Sequence, residues 1–211
     1  MKRQTIILIF LFTIYIFVSC FIYVKTTFTN IENSVFRLHI IANSDSIEDQ
    51  NLKYKVRDNI ISYMDTLCRN SHSKDETISI VRAHINDFQQ IANNTITENG
   101  YNYSSEAQVG NFEFPTKLYG DISLPSGYYD ALEIKLGNSS GQNWWCVLYP
   151  SLCFVDVSSG ALPDSSKEEL QNVLSEEQYS LISENTPTYN FKFKLVELFN
   201  TNFKISKSTE S

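Results

Sequence analysis

From Thr5 to Val24 the chain carries no charged residue, and this run of about 20 apolar positions constrains everything that follows it. A helix of that length crosses the hydrocarbon of a bilayer. Met1-Lys2-Arg3 precedes the run and Lys25 closes it, so the positive-inside rule keeps the N-terminus cytoplasmic and exports the rest. The stretch is longer than an ordinary secretory h-region, and no clear small-x-small cleavage site follows. Residues 1–25 therefore read as a signal peptide or signal anchor. Phe17-Val18-Ser19-Cys20 loosely resembles a lipoprotein cleavage site, although the apolar run continues past Cys20.

Export changes the reading of the cysteines. Cys68, Cys146 and Cys153 lie outside the apolar run, in a compartment that permits disulfides, and their odd number leaves one thiol over. On a straight strand Cys146 and Cys153 would be roughly 23 Å apart, far beyond disulfide reach. They meet only if the chain reverses near Tyr149-Pro150, where a two-residue turn sets Cys146 opposite Cys153. A turn at Pro150-Ser151 puts them out of register instead. The formal net charge of -7 argues against nucleic-acid binding, which needs a basic stripe.

Residues 26–34 read as a polar tether, 35–200 as one exported domain and 201–211 as a flexible tail. Val35 to Ala42 has the apolar content of a buried strand. Asn43-Ser44-Asp45-Ser46 ends it and offers N-caps to a helix on which Leu52, Val56, Ile60, Met64 and Leu67 recur at helical spacing. Ser73 to Glu76 is a second capping box, before a helix carrying Ile78, Val81, Ile85, Phe88 and Ala92. Strands are expected over 103–109, 112–119 and 128–136, with 137–142 as the loop of a hairpin into a strand bearing Trp144 and Trp145. A helix over 164–182 and a strand over 191–198 complete an α+β domain, an antiparallel sheet packed against two or three helices.

Adjacent tryptophans on a strand send one ring to each face, one toward the core and the other needing a cover or a partner. Arg37 and His39 share one face of the first strand, near a helix N-terminus that favours anions. Two readings of this turn stand side by side. Arg37, His39, Asn43, Ser44 and Asp45 form a binding site, or the last three merely cap the helix while the basic pair meets its acids. Thiol catalysis would need Cys146 within reach of a base such as His39. For zinc, the Cys146/Cys153 spacing is poor, and only His39, His72 and His84 remain to complete a set.

Two long segments resemble the stage II sporulation protein R family. The first runs Arg37-Leu38-His39-Ile40-Ile41-Ala42-Asn43-Ser44-Asp45-Ser46 and continues to Arg57-Asp58. The second runs from Gly127-Tyr128-Tyr129-Asp130 through Asn143-Trp144-Trp145-Cys146-Val147-Leu148-Tyr149-Pro150 to Leu152-Cys153-Phe154. The resemblance implies a signalling protein made in the forespore and exported to the intermembrane space. There it would activate a mother-cell membrane aspartic protease that processes a sigma-factor precursor. It implies a ligand rather than an enzyme, with no cofactor and no assigned catalytic residue. Arg37, His39, Asn43, Ser44, Asp45, Trp144 and Trp145 become candidates for partner binding, with Cys146 and Cys153 a possible disulfide. The competing class is an exported thiol enzyme or redox protein using Cys146.

Overall fold

The computed structural model describes residues 2–153 and 162–183. Helix α1 (Lys2–Ser34) contains the apolar run, and its most apolar window is wholly exposed. It does not stop at Lys25. Residues 26–34, expected as a tether, continue the helix and bury Thr27, Phe28 and Ile31. Phe28, Ile31 and Val35 follow one another at helical spacing, so this end has an apolar stripe to place against the domain.

Strand β1 (Phe36–Ile41) is buried along nearly its whole length on both faces. It is followed by α2 (Ile47–Cys68), α3 (Lys74–Ala83), α4 (Ile85–Glu98) and β2 (Ser105–Phe114). A short hairpin, β3 (Lys117–Tyr119) with β4 (Ile122–Leu124), leads to β5 (Gly127–Leu136) and β6 (Asn143–Tyr149). Helices α5 (Asp164–Val173) and α6 (Glu176–Ser183) follow. The fold is α+β, as its grouping of helices and strands predicted.

The main sheet has the order β2-β5-β1-β6, and it is mixed rather than antiparallel throughout. β1 runs parallel to β5, with Leu38 beside Leu132, and antiparallel to β6. Because β1 lies between β5 and β6, residues 137–142 do not close a hairpin; they cross the end of β1. A strand covered on both faces is the usual setting for parallel pairing, and β1 has that pattern.

One sheet face packs on α2–α4 through Phe36, Leu38, Ile40, Leu132, Ile134 and Leu148, against Leu52, Val56, Ile60, Val81 and Phe88. The other face is covered in part by the end of α1, the β3–β4 hairpin and α5–α6, around Phe114, Tyr129, Ala131 and Val147. Of the caps offered between Asn43 and Ser46, Ser46 is the one used, accepting from the Asp49 N–H, and the predicted Ser73 cap accepts from that of Glu76. The expected single helix after Ser73 is broken at His84, and the one over 164–182 is broken near Leu174. β2 runs straight through Gly110-Asn111, expected as a divider. The strand expected over 191–198 and the tail from 201 lie outside the described residues.

Candidate functional site

The turn from β1 into α2 is a clamp. Asp49, on the first turn of α2, is buried, and its Oδ2 accepts from Ser44 Oγ at 2.5 Å and Asn43 Nδ2 at 2.8 Å. Tyr103 OH donates to its other oxygen at 2.8 Å. Burial alone would push this carboxyl up; the hydrogen bonds from Ser44, Asn43 and Tyr103 outweigh it and hold it below its ordinary value.

The same turn grips residues 137–142. Asn43 Oδ1 accepts from the Asn138 N–H at 2.9 Å, the Asn43 carbonyl from Ser140 Oγ at 2.7 Å, and Asp45 Oδ1 from the Gln142 N–H at 2.7 Å. Gly141 packs so tightly on the Ser44 carbonyl that no side chain fits there, and Gly137 takes a left-handed φ of 53° beside Asn43. Lys53, also buried, ties the loop to α2 through the Gln142 carbonyl at 3.1 Å. Asn43, Ser44 and Asp45 thus fasten the loop that delivers the tryptophan strand, beyond simply capping a helix.

Arg37 and His39 point away from α2, so neither pairs with that helix's acids. Arg37 is fully buried, with its guanidinium 4.1 Å from the Phe114 ring centre and 4.7 Å from that of Tyr129. Nη2 donates to Tyr119 OH at 2.7 Å, whereas Nε and Nη1 have no hydrogen-bond partner among the described residues. A cation held this way organises a core and offers nothing to a partner at the surface.

His39 is buried flat against Trp145, with ring centres 3.8 Å apart. Its Nδ1 lies 3.1 Å from Glu133 Oε1 and its Nε2 2.7 Å from Asn143 Oδ1. Gln108 and Lys135 complete the row by binding Glu133 Oε2. Burial lowers the imidazole pKa, against the opposing pull of Asn143 and Glu133. The neutral ring donates from Nδ1 to Glu133, and its Nε2 is satisfied when the Asn143 amide presents its NH2.

Trp144 points to the opposite face from Trp145. Arg57 of α2 lies 4.4 Å from its ring centre, and Tyr54 meets it edge-on at 5.6 Å. Tyr54 and Trp144 keep part of their surface exposed, so this corner joins α2 to β6 and still presents aromatic area to solvent.

Cys146 and Cys153 form a disulfide, with Cα atoms 5.5 Å apart. The Leu152 N–H donates to the Val147 carbonyl, the register that sets 146 opposite 153. Cys146 pairs with Leu38 and lies on the α2–α4 face, while His39 lies on the other. The sheet therefore separates Cys146 from its supposed base. Cys68 is the free thiol outside the apolar run; burial and nearby Glu76 push it up to about 11, so it stays protonated near neutrality. Among the described residues no group of three or more His, Cys, Asp or Glu side chains could hold a metal ion.

Sequence reasoning missed Glu133, Asn143, Phe114 and Tyr119 as partners of His39 and Arg37, and Arg57 and Tyr54 as partners of Trp144. The spacing of residues gives no sign of contacts between elements so far apart in the chain.

Comparison with known proteins agrees with the segments that organise this domain. A family model described as Stage II sporulation protein R (spore_II_R) matches residues 32–159. Stage II sporulation protein R of Bacillus subtilis (strain 168) is 38% identical over 152 residues, covering 69% of this chain and 68% of that protein. No solved structure matches.

Proposed function

Because the chain belongs to the stage II sporulation protein R family, as a sporulation signalling protein, we propose that it is the exported ligand of a mother-cell membrane aspartic protease. On this reading it is made in the forespore, crosses the forespore membrane and acts in the intermembrane space. Binding would switch the protease on, and the protease would process a sigma-factor precursor. The observation that carries the reading is the family match over residues 32–159, in a chain whose N-terminal helix has the length and composition of a membrane span or signal segment.

The structure favours some of the candidate partner residues over others. Arg37, Asn43, Ser44 and Asp45 are engaged internally, so they would act by holding β6 in place. Trp144 with Tyr54 and Arg57, and Trp145 on the opposite face, are the side chains left to meet a partner. Cys146 is buried, disulfide-bonded and remote from His39's face, which counts against the thiol-enzyme alternative.

Co-purification tests the proposal. The full chain, solubilised from membranes, should capture the protease, and a Tyr54→Ala/Trp144→Ala variant that stays folded should capture at least tenfold less. Failure of the unchanged chain to capture the protease would overturn the proposed partner. Equal capture by the folded variant would move the interface elsewhere.

A further inference from the structure

Helix α1 leaves no slack between the apolar run and the domain. Val24 ends the run, and Thr27 is already buried, with Phe28 and Ile31 one and two turns into the core. Three helical residues rise only about 4.5 Å, less than the depth of a headgroup layer. A second contact lies lower still: Tyr23, within the run, donates from its hydroxyl to Glu177 Oε2 of α6 at 3.4 Å. Part of the domain thus sits level with the last turn of the apolar segment.

A carboxylate does not enter hydrocarbon, so Glu177 limits how deeply α1 can be inserted while this contact holds. The segment from Thr5 to Ile22 remains for the bilayer, roughly 27 Å at 1.5 Å per residue, against a hydrocarbon thickness of about 30 Å. Length and stop position agree.

We propose that the N-terminal end of α6, around Glu176 and Glu177, rests on the lipid headgroups, and that α1 acts as a rigid strut holding the domain in one orientation on the bilayer. This rests on α1 lying in a membrane, and not on the identity of the protease. Its partner is the zwitterionic lipid surface. In this orientation the loop holding Asn138 is the end turned from that surface: β1 carries it about 20 Å from Ser34, since the Asn138 N–H is bonded to Asn43 at the far end of the strand.

The full chain, with Cys20→Ser and Cys68→Ser, would be reconstituted in phosphatidylcholine vesicles carrying a nitroxide on the headgroup. A fluorophore would be placed at Glu176→Cys or at Asn138→Cys. Headgroup quenching should be at least threefold stronger at position 176. Inserting ten Gly-Ser residues after Lys25 should bring it down to the level at 138. Equal quenching at the two positions, unchanged quenching after the insertion, or failure of the chain to float with the vesicles would each overturn the proposal. Protease capture is measured separately, so the two ideas fail independently.

Discussion

Arg57 of α2 covers the ring of Trp144 on β6 at 4.4 Å, and this one contact unites the two segments whose residues resemble a single family. The segments are far apart in sequence, yet they meet as helix and sheet across the same core. Arg57 also pairs with Asp58, at 2.6 Å, which fixes the guanidinium plane.

That stacking should be measurable. Cation–π contacts at partly exposed sites contribute about 0.5–1 kcal/mol. Arg57→Ala and Trp144→Leu should each destabilise the domain in urea titrations, and the double variant should lose less than their sum by about that amount. Strict additivity would show that the stacking carries no coupling.

Glu32, near the end of α1, lies against the Gly127 backbone, and burial pushes its carboxyl up to about 7. A folded-state value above the unfolded one means that the folded state holds the proton more tightly. Stability is then full below about pH 4.5 and falls as pH rises through about 7. Glu32→Gln should therefore stabilise the domain at pH 8 by about 1–2 kcal/mol, discounted for partial exposure, and change little at pH 4.5. Chemical denaturation at the two pH values checks this; equal effects at both would contradict it.

Gly141 packs against the Ser44 carbonyl, so a methyl group there must move backbone. Gly141→Ala should cost about 1–3 kcal/mol. Trp145 fluorescence should also shift, because the loop that carries β6 would be displaced from Asn43 and Asp45. Unchanged unfolding midpoint and emission would show that the clamp is slack.

The disulfide closes a short loop, with a sequence separation of 7. Loop entropy alone gives it about 2–3 kcal/mol. A Cys146→Ala/Cys153→Ala variant should lose roughly that stability in thermal unfolding yet still signal at a temperature where it is folded. A folded variant with no signalling would return thiol chemistry to consideration.

The sequence made local features legible and long-range ones opaque. The apolar run, the Ser73 cap and the alternation of Leu132, Ile134 and Leu136 depend on neighbours in the chain, and each appears where its pattern put it; a cap is also expected within Asn43 to Ser46, and Ser46 supplies it. The place of β1 does not depend on neighbours. Its residues read as a buried strand whether β5 lies beside it parallel or antiparallel, and the glycines at 137 and 141 suit a hairpin as well as a crossover. His39 meets Glu133 across 94 positions and Arg37 meets Tyr119 across 82, so neither pairing left a mark in spacing. Residues 26–34 read as a tether because Phe28 and Ile31 are the only large apolar side chains among them, and no surface for those two to cover is visible until the sheet is in place.

The most direct measurement is processing of the sigma-factor precursor in sporulating cells that lack their own family member and make this chain in the forespore. Processing should be restored by the full chain, and lost when Tyr54→Ala and Trp144→Ala are introduced into a domain that still exports and folds. Absence of processing, with the unchanged protein exported, folded and present in the intermembrane space, would contradict its assignment as the activating ligand.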